Sequence, residues 1–247
     1  MAKGLCELSR ALAALPEVRE LLLDIDAGRS PAAVSGLSGV HRAQLAAAVR
    51  QETQRPLLIV CADEGEANRM AGDLSVLLGE EVSALFAREW QLRDHVAASH
   101  GWEQQRIGTL CRLAAGGAPV LVATADGLMQ RTLPPDALES AVTAIAPGAR
   151  FDLAALAKRL LESGYVRTET VEGVGQFALR GGILDIWSPL SAPVRVEFFD
   201  DEVDAMGEFD VSTQRRTRNI QRLTVLPAAE VLPALSEGGK SAMLARM

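Results

Sequence analysis

The sequence has 247 residues, 48% of them hydrophobic and 23% charged, with a formal net charge of −7. This composition is typical of a globular protein, and the length allows one large or two medium-sized domains. The acidic balance argues against an independent nucleic-acid-binding domain, because such binding depends on Lys and Arg neutralising phosphates. We therefore expect the partner to be a protein or a small molecule.

The cysteines and the N-terminal residues indicate a cytoplasmic protein. Cys6, Cys61 and Cys111 lie far apart, without the spacing of a zinc site. An odd number of cysteines without a disulfide framework is typical of a reducing compartment. Residues 1–25 carry too many charges for a signal peptide or a membrane span, so no membrane partner is expected. They predict instead short amphipathic helices broken at Pro16.

The first half of the chain alternates between predicted helices and predicted strands. Short apolar runs predict buried strands at 56–61, 81–86 and 119–125. Helix signals predict helices at 40–53, 63–79 and 102–116, and a short helix capped by Asp126. This alternation predicts an α/β domain with a mainly parallel sheet over residues 1–147.

The second half changes its period after a turn-rich joint at 147–150. An amphipathic helix is predicted at 151–165, with Asp152 as its N-cap and Leu161 on its apolar face. Beyond it the period falls to two, and short strands are predicted at 165–171, 176–180, 183–187, 194–199 and 202–210. These elements predict a small α+β domain with an antiparallel sheet at 148–230. Residues 231–247 are predicted to be a tail or the start of a segment in which the chain returns to the first domain.

Motifs for catalysis or cofactor binding are weak. The sequence SGLSGV at 35–40 precedes a predicted helix, where phosphates bind in α/β domains, but it lacks the Gly-Lys-Ser/Thr of a phosphate loop. His95 and His100 lie five residues apart, which is not the spacing of helical zinc ligands. We therefore expect no catalytic residues, no metal and no cofactor in this segment.

One predicted sheet face is unusual. Alternation along 194–199 places Val194 and Val196 in the core and directs Arg195 and Phe199 outward. Alternation along 176–180 likewise directs Arg180 outward. Two arginines and a phenylalanine on one exposed face are typical of a protein-binding hot spot. The alternative is ordinary surface pairing of Arg180 with Asp185 or Glu197 and an edge covered by Phe199.

The glycine pair between these strands also needs an explanation. Gly181 and Gly182 predict a β-bulge that restores the alternation, so that Leu184 and Ile186 return to the core. Asp185 would then share the outer face with Arg180.

Several longer stretches resemble the N-terminal region of the bacterial transcription-repair coupling factors (Mfd). The most specific are GQFALRGGILDIWSP at 175–189 and VRVEFFDDEVDAMGEFDVSTQRR at 194–216, followed by LPAAEV at 226–231. Upstream, AREWQLRDHVAASHGWEQQRIGTLCRL at 87–113 and PVLVATADGLMQRTLPP at 119–135 match in order and spacing. The same region is similar to part of the excision-repair protein UvrB.

The resemblance implies a specific organisation and function. The first domain would be a degenerate RecA-like α/β domain without a phosphate loop, and the second would bind UvrA, the damage-recognition ATPase. By motif position, Arg180, Arg195 and Phe199 would be the partner-binding residues. The segment itself would be non-catalytic and would recruit UvrA in nucleotide excision repair at stalled RNA polymerase.

The resemblance also implies which functions lie outside this segment and which alternative functions need to be considered. In full-length members, RNA polymerase, DNA, ATP and magnesium are bound by further domains that these residues do not contain. The docking face could also be covered by a distal domain. The competing interpretation is a UvrB-like nucleotide-binding domain of an ATP-dependent DNA repair protein, which the missing lysine in 35–40 argues against.

Overall fold

A computed structural model describes residues 9, 11–88, 100–230 and 232, without the side chains of residues 100–102. In chain order the helices are α1 Pro16–Asp26, α2 Gly39–Thr53, α3 Glu64–Leu78, α4 His100–Ala114, α5 Ala125–Met129, α6 Pro135–Ala141 and α7 Leu153–Glu162. The strands are β1 Leu57–Cys61, β2 Ser83–Leu85, β3 Val120–Thr124, β4 Thr143–Ile145, β5 Val166–Arg167, β6 Gln176–Arg180, β7 Ile183–Ile186, β8 Val194–Phe199, β9 Glu202–Phe209, β10 Arg216–Asn219 and β11 Leu223–Val225.

The chain forms two compact units, each built from two stretches of sequence. The first comprises Met1–Ala87 and Gly116–Gln130, and the second comprises Arg88–Ala115 and Arg131–Met247. By packing, α4 and residues 131–147 therefore belong with the second unit. The predicted domain boundaries at 147 and 230 stay predictions.

The first unit contains a three-stranded parallel sheet in the order β1-β3-β2. All five residues of the central strand β3 are buried, as its continuous apolar run predicts. Its core includes Ala43 and Ala47 from α2 and Leu74 from α3, packed with Val122. Asp63 caps α3 by accepting a hydrogen bond from the Glu66 backbone N–H at 2.8 Å. The predicted cap of α5 was wrong, because its N-cap is Thr124 and Asp126 lies in the first turn.

The second unit contains a six-stranded sheet in the order β10-β9-β8-β7-β6-β5. Its neighbours are antiparallel except for the parallel pair β5–β6. Helix α7 packs on one face, where Leu156 and Leu160 join the core with Phe177, Ile186 and Val196. Asp152 caps this helix by accepting hydrogen bonds from the backbone N–H groups of Ala154 and Ala155, as predicted. Leu161, in contrast, is exposed, because its position falls beside the buried stripe.

Two long-range connections complete the second unit, and the sequence pattern predicted neither. Strand β4 pairs with β11 in a separate two-stranded antiparallel sheet. Glu230 lies buried against α4, and its Oε2 accepts a hydrogen bond from Arg106 Nε at 2.8 Å. Arg88 Nε lies 3.5 Å from the same carboxylate oxygen. These contacts explain why α4 packs with a domain that begins far along the chain.

The predicted fold class is confirmed at the level of a mixed α/β chain with a parallel sheet and antiparallel sheets. The RecA-like origin of the first unit stays a prediction. Of the predicted tail at 231–247, only Leu232 lies within the described residues. Within the described part of the chain, no helix is long and apolar enough to cross a membrane.

Candidate functional site

The glycine pair forms a hairpin turn and not a bulge. Arg180 pairs with Ile183 across β6 and β7, so Gly181 and Gly182 are the two turn residues. Gly181 has a φ of +59°, which glycine adopts without steric cost. Gly182 accepts a hydrogen bond from the Phe198 backbone N–H at 2.7 Å. The bulge prediction was therefore wrong, because the chain reverses at this point, although Leu184 and Ile186 do return to the core.

A register shift occurs one strand further, between β8 and β9. Glu197 pairs with Ala205 and Phe198 with Val203, which leaves Asp204 as an extra residue on β9. Strand β8 keeps its strict alternation as a result. Phe198 packs edge-on against Phe151 at the core, with ring centroids 6.5 Å apart.

Phe199 is the exposed aromatic side chain at the end of β8. It is 80% exposed and faces away from the core, as the strand period predicts. The turn that follows it is acidic, with Asp200 at a φ of +59° and Asp201 within 3.3 Å of Arg150. Phe199 therefore projects from an acidic hairpin end with most of its side chain exposed.

The two predicted arginines lie on this outer face and share one buried carboxylate. Asp185 is only 1% exposed. Its Oδ1 accepts a hydrogen bond from Arg195 Nε at 2.6 Å, and its Oδ2 accepts from Arg195 Nη2 at 2.9 Å. The same Oδ2 accepts from Arg180 Nη2 at 2.8 Å. The strand register produces this arrangement, because Asp185 lies directly opposite Arg195 on β8.

Arg195 is more enclosed than its strand position predicts. Its side chain is 20% exposed, whereas that of Arg180 is 52% exposed. The guanidinium of Arg195 lies over the Phe209 ring at 5.0 Å and donates to the Gln214 side-chain oxygen at 3.1 Å. The hydrogen bond with Asp185 is the main reason why the pKa of Arg195 is raised. This charge is therefore fixed within the domain.

The middle of the outer face is covered. Val171, Ala178 and Phe209 are buried together there, with Trp187 and Val211 against them. The predicted outer face is therefore exposed only in part, because loop residues before β6 and after β9 pack over its centre. The exposed part is the hairpin end, which carries Arg180, Ile183, Glu197 and Phe199. Alternation alone gave no signal for the roles of Gln214 and Phe209.

The other motif candidates form no site within the described residues. The SGLSGV loop follows no strand; it ends at the start of α2, where Ser38 Oγ lies 2.9 Å from His41 Nδ1. No group of three or more potential metal ligands was found among the described side chains, and His95 lies outside them. Burial raises the pKa of Cys111 to about 11, so its thiol is a poor nucleophile at neutral pH.

Comparison with known proteins defines the class of this domain. Residues 143–231 match the family described as the UvrB interaction domain. The chain therefore carries a UvrB interaction domain, which includes β4 through Glu230.

The longer similarities are with transcription-repair-coupling factors. The chain is 35% identical to that of Myxococcus xanthus over 206 residues, covering 80% of this chain and 17% of the relative. It is 30% identical to that of Bacillus subtilis (strain 168) over 219 residues, covering 87% of this chain and 18% of the relative. The predicted resemblance is confirmed: the chain corresponds to the N-terminal region of transcription-repair coupling factors, and it spans less than a fifth of the length of these relatives.

Proposed function

We propose that this chain is a non-catalytic docking segment that recruits UvrA in nucleotide excision repair at stalled RNA polymerase. The observation that carries the proposal is the exposed Phe199 at the hairpin end of the UvrB interaction domain, with Arg180 on the same sheet face two strands away. A large apolar side chain held in water on a rigid strand costs solvation free energy that a partner's pocket would recover.

The charges around Phe199 indicate which charges a complementary partner surface would carry. Asp200 and Asp201 lie next to Phe199 together with Arg150, which pairs with Asp201, and Arg180 supplies a positive group on β6 of the same face. A complementary surface on UvrA would have an apolar pocket, an acidic group facing Arg180 and basic groups facing the turn. Such a mixed pattern orients the partner in one direction.

The proposal assigns the remaining activities to other parts of the parent protein. RNA polymerase, DNA, ATP and magnesium would be bound by its further domains. The first unit would be a RecA-like domain without a nucleotide, and the protein would act in the cytoplasm. The loop at 35–40 supports this assignment, because a phosphate loop follows a strand and this one does not.

A direct binding measurement of the 247-residue chain with purified UvrA tests the proposal. Phe199→Ala is expected to weaken binding about 30-fold, the effect of losing a central aromatic contact. Arg180→Ala is expected to weaken it about tenfold through loss of charge-assisted hydrogen bonds.

Matched variants control for loss of apolar area and of charge elsewhere. Met129→Ala removes an exposed side chain from the first unit, and Arg222→Ala removes an exposed arginine from the second. Both should bind UvrA like the wild type. Wild-type affinity of Phe199→Ala and Arg180→Ala, with unchanged circular dichroism, would refute the site.

A further inference from the structure

The two arginines of the proposed docking face have very different capacities for new hydrogen bonds. An arginine carries five N–H donors. Arg195 uses four of them within the domain, two toward Asp185 and two toward Gln214. Within the described part of the chain, one N–H on its Nη1 has no acceptor and stays available to a partner.

Arg180 is in the opposite state. Among the described residues it makes a single side-chain hydrogen bond, from Nη2 to Asp185 Oδ2 at 2.8 Å. Four of its N–H groups therefore have no partner among these residues, and half of its side chain is exposed. One bond to a buried oxygen restricts the guanidinium without using up its donors.

The carboxylate between them has no competing partner among the described groups. Asp185 is buried, and all three of its hydrogen bonds come from these two arginines. Glu197, a second acid on this face, is paired with Arg216 at 2.7 Å. Within the described residues, Asp185 is therefore the carboxylate partner that the two arginines share, and Arg195 has Gln214 as a further partner.

We propose that Asp185 is a positioning residue that gives the two arginines different roles. It fixes Arg195 as a rigid base of the face and turns Arg180 so that its free N–H groups meet an acidic group on UvrA. Ordering Arg180 before binding reduces the rotamer entropy lost on docking. This inference rests on the proposed function, and it adds that the effect of Arg180 on binding depends on Asp185.

A double-mutant cycle on UvrA binding tests this dependence. Asp185→Asn keeps the shape of the side chain and removes its charge. It is expected to weaken UvrA binding about tenfold, and Arg180→Ala is then expected to add less than about a twofold loss. In the wild-type background the same Arg180→Ala change is expected to cost about tenfold. Losses that multiply independently would overturn the positioning role.

A second measurement works without any partner, so that failure of the proposed function can be told apart from failure of this inference. If the wild-type chain does not bind UvrA, the proposed function fails. In that case ¹⁵N NMR of the arginine side chains still tests whether Asp185 positions the two arginines. Hydrogen exchange at Arg195 Nε–H is expected to be at least about tenfold slower than at the exposed Arg222, because Arg195 Nε–H donates a hydrogen bond to the buried Asp185.

The matched control for the NMR measurement is Asp201→Asn, which removes an exposed carboxylate paired with Arg150. Asp185→Asn should release Arg195 Nε–H and mobilise the Arg180 guanidinium, and Asp201→Asn should change neither. Equal exchange at Arg195 and Arg222 in the wild-type chain overturns the inference, even if Asp185→Asn fails to fold.

Discussion

Gln214 lies in the turn between β9 and β10 with a φ of +57°, a region that glycine adopts far more readily than glutamine. Its side-chain oxygen accepts a hydrogen bond from Arg195 Nη2, and its side-chain nitrogen donates to the Val211 carbonyl at 2.8 Å. The backbone strain is therefore offset by an amide that serves the arginine and the turn together.

Two substitutions at Gln214 separate these contributions. Gln214→Ala loses the hydrogen bonds and keeps the strained backbone, so the free energy of unfolding is expected to fall by about 1–2 kcal/mol. Gln214→Gly loses the same bonds but relieves the strain, so it should be about 1 kcal/mol more stable than the alanine variant. Urea denaturation of both variants measures the difference, and equal stabilities would contradict the role given to the backbone.

At the scale of strands, the β6–β7 and β8–β9 hairpins set where the outer face is exposed. Gly182 lies so close to β8 that an added Cβ would be 2.9 Å from the Phe198 carbonyl oxygen. That oxygen belongs to the backbone, so it cannot move without shifting the strand that carries Phe199.

Gly182→Ala is therefore expected to lower the melting temperature by several degrees, in line with a loss of about 1–3 kcal/mol. Gly72→Ala is the comparison, because Gly72 lies exposed in α3 with nothing within 4 Å of an added Cβ. Alanine favours a helix interior over glycine, so this change should stabilise the chain slightly. Differential scanning calorimetry measures the melting temperature of both variants. Shifts of the same sign in Gly182→Ala and Gly72→Ala would be inconsistent with this account.

Particular elements show how far the sequence predicts the structure. The period of two directed Phe199 outward and Val194 inward, because alternation is a local property of a strand. It did not predict the cover over Arg195, since Phe209 and Gln214 reach it through a later strand and turn. Gly181 and Gly182 predicted a bulge, and the pairing of Arg180 with Ile183, which the sequence does not specify, makes them a hairpin turn instead. The β4–β11 pair depends on contacts far apart in sequence, which local patterns do not encode.

At the scale of the whole molecule, the buried ion pair between Arg106 and Glu230 joins α4 to the end of the UvrB interaction domain. Both side chains are 2% exposed. Removing one partner of a buried pair leaves a charge without compensation, which is more costly than removing both.

Glu230→Ala is accordingly expected to destabilise the second unit by about 3–5 kcal/mol. The double variant Arg106→Met/Glu230→Leu should be more stable than Glu230→Ala, because it removes both charges and keeps the volume. Glu162→Ala is the control, since Glu162 pairs with the exposed Lys158 only at 3.9 Å and should change stability by less than about 1 kcal/mol. Thermal unfolding followed by circular dichroism ranks the variants, and a Glu230→Ala protein as stable as the wild type would disprove the role of the pair.

This ion pair also has a consequence for biosynthesis. Its two residues are separated by 124 positions along the chain. A ribosome adds about 5–20 residues per second, so α4 leaves it roughly 6–25 seconds before Glu230 does. The second unit therefore cannot complete its fold when α4 emerges from the ribosome. Its assembly must wait until Glu230 has been synthesised, and a pause or premature stop before residue 230 would release α4 without its anchoring carboxylate.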